Sequence, residues 1–346
     1  QPSEAARQLV SRVRLTLAEV RDRATRGLTR AGISAENAAV IADVMTTAER
    51  DGCESHGLFR MQGYCDCVRV GRTDGKAVPV LHDDAPGLLR VDAGHGFAAP
   101  AMVAGRPVLA EKASAQGIAA MAVTNAHHYA ALWYDVDWLA ENGLVAMACL
   151  NSQSFVAAAG GKRKLYGTNP MAFAWPRPDG QPPMIFDQAS SASARGEIQI
   201  HRREGRTLPE GWAIDPDGNP TTDPEAALAG AQLPFGGHKG AAIAMMVELL
   251  AVGLTGGKFG FESHAEGHTD GGPSEGGQLL IAIDPTRFGG GEGALAHAEL
   301  LFGEILSEEG TRLPSARRYE MRRRTPTEGI TIPHSLDDTI RALCGD

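Results

Sequence analysis

Apolar residues recur along this chain at two spacings. Near the N-terminus the spacing is helical. Thr16-Leu17-Ala18-Glu19 carries the reciprocal cap of a helix start and predicts a helix to residue 31, ended by Gly32. Ser34 caps a second helix, to about residue 51, with Ala39, Val40, Ile41, Val44 and Met45 as its apolar face. Gly52 closes it, and residues 58–70 read as a third helix. A short strand at 87–92 and a helix over 100–114, closed by Gly117, follow. At Ile118 the pattern changes to short, buried runs typical of strands, at 118–123 and 144–150, around a helix over 131–141. The polar turn of this strand–turn–helix–strand unit, Asn125 to Leu132, can receive a phosphate or carboxylate at the helix start.

Farther on, Gly167-Thr168-Asn169-Pro170 lies between short strands. Met184-Ile185-Phe186-Asp187 runs into the small-residue tract Gln188 to Ala194, which lets backbone come close to a flat ligand. Residues 202–231 read as loop and short helix. Leu233-Pro234-Phe235-Gly236-Gly237-His238-Lys239-Gly240 leads into an apolar helix over 241–254. A loop over 260–277, with exposed His264 and His268, precedes a strand at 279–283 and a helix at 293–307. Ser335 to Asp338 caps a last short helix.

Composition narrows the class. A chain of 346 residues predicts about two domains. Hydrophobic residues at 43% and charged residues at 22% fit a globular protein. A net charge of −9 argues against a general nucleic-acid or membrane-surface binder. No apolar run reaches the roughly 18 residues of a membrane span, and Gln1 to Arg14 lacks the apolar core of a signal peptide. The five cysteines form neither a zinc pattern nor a disulfide framework, so no metal is expected and a reduced, cytoplasmic setting fits.

The chemistry concentrates in Ser55-His56-Gly57-Leu58-Phe59-Arg60. A hydroxyl sits beside an imidazole, with a guanidinium one helical turn on. Such a group could offer a proton from His56 and bind a carboxylate through Arg60. Lys239 at a glycine turn resembles a phosphate loop only superficially, because Gly240 stands where a metal-binding hydroxyl belongs. Gly289, Gly291 and Ala294 mimic a dinucleotide fingerprint, but residues 284–288 separate them from the strand and no acid-ended second strand follows. A dinucleotide would therefore bind outside the Rossmann manner. Arg317-Arg318 and Arg322-Arg323-Arg324 form a basic cluster, read either as a solvated helix face or as a partner for an extra phosphate.

Ser55-His56-Gly57 with Arg60 and Tyr64, the His128-Tyr129-Ala130-Ala131 turn, Gly167 to Pro170, Phe186-Asp187 and Leu233 to Gly240 occur in one order. In that order the chain resembles the malate/L-lactate dehydrogenase-like oxidoreductases over nearly its whole length. Residues 74–80, 127–135 and 233–254 most resemble the delta-1-pyrroline-2-carboxylate/delta-1-piperideine-2-carboxylate reductases of that family. The resemblance implies an α/β (α+β) non-Rossmann fold. Residues 1–117 with 285–346 would form a helical, substrate-binding and dimerisation domain, and 118–284 a largely antiparallel NADPH-binding domain. It implies a cytoplasmic homodimer that reduces cyclic ketimine carboxylates with NADPH, and less well with NADH, to L-proline or L-pipecolate, in proline metabolism or lysine catabolism. The alternative is a 2-hydroxy-acid dehydrogenase. By resemblance, His56 donates the proton and Ser55 and Glu197 orient it. Arg60 and Thr168 bind substrate. His128, Tyr129, Ala130, Ala131, Leu132, Asp187, Gln188, Ala189, His238, Lys239, Ser315, Ala316, Arg317, Arg318, Tyr319, Glu320 and Met321 bind the cofactor. Where the reductases carry Asp, this chain has Glu197.

Overall fold

In the computed structural model, residues 12–265, 276–291 and 293–346 are described, so His268 lies outside them. The framework is a seven-stranded sheet. Its order is Val80–Ala85, Leu88–Phe97, Ile118–His127, Gly276–Ile283, Val145–Leu150, Met171–Trp175 and Met184–Gln188. Leu88–Phe97 and Ile118–His127 run parallel, and every other neighbouring pair is antiparallel. A parallel pair needs a crossover, and helix Ala98–Gln116 supplies it. The sheet thus starts at Val80, well before the expected change of pattern at Ile118. The strand expected at 87–92 is the first part of Leu88–Phe97, while exposed Val80 and Leu81 blur the alternation that would have revealed Val80–Ala85.

Helices Ala98–Gln116 and Trp133–Glu141 cover one sheet face, where Leu109, Trp133, Leu139, Met121 and Leu280 share one core. Helix His238–Glu248 and its π-helical continuation Leu249–Gly253 cover the other, setting Val247, Ala251 and Val252 on Cys149 and Leu279. A second sheet of two- and three-residue strands occupies part of the stretch read as loop. Among the described residues no helix is long and apolar enough to cross a membrane.

The chain ends fold together. Helix Leu17–Arg30 begins at the Thr16 capping box and helix Ala35–Arg50 at Ser34, as their sequences predict. With Met61–Arg69 and His334–Cys344 they enclose a second core of Leu28, Ile41, Met45, Leu58, Met61 and Ile340. Strand Arg12–Leu15 pairs antiparallel with Ile330–Pro333, a pairing that four residues of alternation are too short to announce.

Helix Ala316–Glu328 joins the two cores. Tyr319 enters the sheet core and donates to Pro183 O at 2.7 Å. Arg322, read as part of a solvated face or of a phosphate partner, instead bonds Asp51 Oδ2 and Asp137 Oδ2, both at 2.6 Å. The Asp51 side chain is fully buried. Removing the cation would leave two buried carboxylates without it, a loss worth roughly 3–5 kcal/mol in comparable cases. Arg322→Ala should therefore lower the unfolding free energy by about that amount in urea titrations. A change below about 1 kcal/mol, the scale of a surface ion pair, would show that the cluster contributes little.

Candidate active site

The Ser55 stretch is not one helix. Two 3₁₀ turns, Glu54–His56 and Leu58–Arg60, meet at Gly57 before helix Met61–Arg69 begins. His56 Nδ1 lies 3.0 Å from Ser55 Oγ and 3.6 Å from Cys53 Sγ. Arg60 Nε donates to Ser55 O at 2.8 Å. The guanidinium is thereby drawn back over the turn that carries the imidazole, a tighter link than spacing on a helix face would give. His56 is half-buried by accessible surface but densely surrounded. Burial first, and the Arg60 charge second, push its imidazole down to about 4. It is neutral at pH 7. Among the described residues, Nε2 has no hydrogen-bond partner and the terminal nitrogens of Arg60 have no carboxylate partner. Those are the atoms left to meet a ligand.

Helix Met61–Arg69 docks this stretch on the sheet through the His128 turn. Tyr64 stacks on His128 with centroids 4.5 Å apart and donates to its carbonyl at 3.3 Å. His128 Nε2 lies 2.7 Å from Cys67 Sγ. The following helix begins at Trp133, and its start is not open to a phosphate as the sequence suggested. Asp187 Oδ2 accepts the Trp133 N–H at 2.9 Å and occupies that place. Burial raises the Asp187 carboxyl, and the Trp133 amide partly offsets that. Cys53, two residues before Ser55, packs against the same core, its thiol pushed up by burial beside Trp133, Asp187 and Arg318.

The remaining segments form a continuous rim. Ser190 N–H donates to Thr168 O at 2.7 Å, and Phe235 N–H to Ser190 O at 3.0 Å. Thr168, the tract Asp187-Gln188-Ala189 and the 233–240 turn are therefore neighbours. Beneath Thr168, buried Glu248 accepts from Asn169 Nδ2 at 3.0 Å, from Gly260 N–H at 3.1 Å and from Gly167 N–H and Asn151 Nδ2 at 3.5 Å. His238 and Lys239 open an 11-residue helix and are exposed. A Cβ at Gly240 would lie 2.1 Å from Phe235 O, which is why glycine follows Lys239. Ser315 Oγ donates to Ile185 O at 2.6 Å and receives Arg318 Nη1 at 2.7 Å. Arg318 lies 4.6 Å over the Trp133 ring, while Ala316, Arg317 and Glu320 face solvent and Met321 packs under Gly52.

Glu197, on helix Arg195–Glu204, faces His201 at 3.6 Å and, among the described residues, makes no hydrogen bond to His56. The i, i+4 spacing of Glu197 and His201 on one helix places them together. Sequence reading also missed Cys53, Glu49 and Glu248. A lone Cys and two helix-borne acids carry no motif, so only tertiary placement reveals them.

A neutral imidazole beside a cation that lacks an acid partner can move a proton while a carboxylate is held. With an adjoining rim of glycines, small residues and Lys239, this is a candidate site for an oxidoreductase acting on a small carboxylate. The chain belongs to the malate/L-lactate dehydrogenase family, whose profile matches residues 15–341. A nicotinamide cofactor goes with that membership. It is 51% identical to the Delta(1)-pyrroline-2-carboxylate/Delta(1)-piperideine-2-carboxylate reductase of Pseudomonas aeruginosa, over 96% of this chain and 99% of that protein. It is 50% identical to the Delta(1)-pyrroline-2-carboxylate reductase of Ancylobacter novellus, over 96% and 97%. The crystal structure of delta1-piperideine-2-carboxylate reductase from Pseudomonas syringae superposes with a TM-score of 0.90 at 45% identity, covering 96% of this chain and 99% of that one.

The low proton affinity of His56 has a measurable consequence. An unfolded histidine takes up its proton near pH 6.5 and folded His56 only near 4, so protonation favours unfolding across that window. As pH drops from 6.5 toward 4, the melting midpoint of the wild type should fall relative to that of His56→Gln. Buried Glu49 and Asp135, both pushed up to about 7, act in the opposite sense and are common to both proteins. Identical pH dependence in the two proteins would contradict the placement of His56.

Proposed function

We propose that this enzyme reduces cyclic ketimine carboxylates, delta-1-pyrroline-2-carboxylate and delta-1-piperideine-2-carboxylate, to L-proline and L-pipecolate with NADPH. The observation that carries the reading is the pairing of neutral His56 with Arg60, whose terminal nitrogens have no carboxylate partner among the described residues. Its agreement with the names of relatives near 50% identity supports it. A cyclic imine presents one carboxylate and an apolar ring. Arg60 holds the carboxylate, helped by Thr168 at the rim. A second substrate carboxylate, as in oxaloacetate, would need another buried cation or a desolvation cost of several kcal/mol.

Binding also prepares the acid. A carboxylate on Arg60 offsets the charge that is the second cause of His56's low proton affinity. The imidazole then holds a proton more readily, and Nε2 delivers it to the ring nitrogen. Ser55 orients the imidazole through Nδ1, without Glu197. Bound nicotinamide supplies the hydride. The chain's residues suit it. Gly236 and Gly237 leave open space before a helix start that carries exposed His238 and Lys239, a fit for a diphosphate. Asp187 to Ala189, His128 to Leu132 and Ser315 to Met321 flank the rest. Arg317 is exposed and has no ion pair among the described residues, which suits the extra phosphate of NADPH.

The working form is a cytoplasmic homodimer on this reading. Helix Gly293–Ser307 leaves Leu300 66%, Leu301 61% and Leu306 50% exposed, an apolar stretch that a second copy could cover. Five free thiols suit a reducing compartment.

Comparing kcat/KM for the two cyclic imines, pyruvate and oxaloacetate tests the substrate. Either imine should exceed both keto acids, and a higher value for a keto acid would make this a 2-hydroxy-acid dehydrogenase. Arg317→Ala should weaken NADPH roughly tenfold, the worth of one charge-assisted contact, and leave NADH nearly unchanged. Equal weakening would assign Arg317 to a part shared by both coenzymes.

A further inference from the structure

Glu49 is a buried acid for which the reaction described above has no use. It lies in the last turn of helix Ala35–Arg50 and is 4% exposed. Its Oε1 accepts the Leu58 N–H at 2.8 Å. Leu58 is the first residue of the turn that carries Arg60, and Gly57, just before it, separates that turn from the one carrying His56. The carboxyl lies directly under Gly57. A Cβ there would stand 2.2 Å from Glu49 Oε1 and 2.5 Å from Cδ. The glycine and the glutamate therefore fit only as a pair.

Packing alone does not explain an acid here. Burying a carboxyl costs free energy that a leucine or methionine would not incur. The side chain also borders a cavity of about 430 Å³, shared with Arg14, Glu54, Glu328 and Thr331. The feature that an apolar side chain cannot reproduce is the hydrogen bond to Leu58.

We propose that Glu49 is a positioning residue. By holding the Leu58 amide beneath Gly57 it fixes the junction between the two turns, and so the placement of His56 against Arg60. The Arg60–Ser55 hydrogen bond closes the loop from above, and Glu49 holds it from below. Burial pushes this carboxyl up to about 7 against the opposing Leu58 amide, with Glu54 adding to the rise and Arg12 opposing it. The neutral form is therefore accessible, and a neutral amide that keeps the acceptor oxygen is a fair substitute.

The inference rests on the proposed role of His56, and its test separates the two. Glu49→Gln, Glu49→Asp, Glu49→Ala and His56→Ala are compared with wild type for kcat, KM of delta-1-piperideine-2-carboxylate, and NADPH affinity by fluorescence titration. Glu49→Gln should stay within about threefold of wild type. Glu49→Asp keeps the charge but withdraws the carboxylate by one methylene, and Glu49→Ala removes the acceptor. Both should lose roughly tenfold to a hundredfold in kcat/KM, the effect of a misplacement near 1 Å, with NADPH affinity unchanged. Glu49→Asp keeps the test decisive if Glu49→Ala does not fold. Wild-type kcat/KM in Glu49→Asp, or equal losses in Glu49→Gln and Glu49→Asp, would overturn the positioning role. Full activity of His56→Ala would instead overturn the reading of the site.

Discussion

The structure depends on one cation. Arg322 reaches Asp51 at the end of helix Ala35–Arg50 and Asp137 within helix Trp133–Glu141, and so ties the chain-end helices to the sheet. Asp51 stands four residues before Ser55. The direction in which the chain leaves that helix, through Gly52 and Cys53, decides where His56 points. Helix Trp133–Glu141 is itself anchored at its first amide by Asp187. The acid–base stretch and the cofactor-flanking strand therefore share one rigid support. Neither end of that support is a surface ion pair, whose worth is small. Asp51, Asp137 and Asp187 are all buried enough that their partners matter.

On that support the site is assembled from very local contacts. Ser55, His56 and Arg60 lie within six residues and are brought together by a side chain–side chain contact and a side chain–backbone hydrogen bond. A single imidazole with both neighbours supplied by its own loop needs little from the remainder of the chain except correct docking, and Tyr64 on His128 provides that. The electrostatics follow from the same compactness. Arg60 is close enough to suppress protonation of His56 when alone, and to release it when its own charge is met. In the proposed reaction, substrate recognition and acid strength are thus controlled by one guanidinium.

Much of this was legible in the residues. Thr16 with Glu19, and Ser34, place two helix starts correctly because capping is a local interaction with a local signature. Gly117 ends its helix at a left-handed φ of 87°, as its position predicts. The order of motifs from Ser55 to Gly240 identifies the family. What the sequence could not disclose are pairings across distance. Arg322 looks like one of three solvated arginines until Asp51 and Asp137 are brought to it. Asp187 reads as a strand end until it caps a helix that begins 54 residues earlier in the chain. Glu197 is the reverse case: its place in the family order suggested a relay to His56, while its own helix gives it His201. The 3₁₀ turns also escape notice, since their apolar spacing is close to that of a helix.

The Glu248 carboxylate gathers N–H groups from Gly167, Gly260, Asn151 and Asn169, segments separated by as many as 109 positions along the chain. Loops must close over long stretches before these donors can meet, and such closure is slow. The capped helices near the N-terminus need no such search and can form within their own segment. During refolding, then, the two capped helices can form first, while both their packing against the C-terminal strand and helix and the floor beneath Thr168 wait for distant segments to meet. Until Glu248 has its donors, Thr168 has no fixed floor.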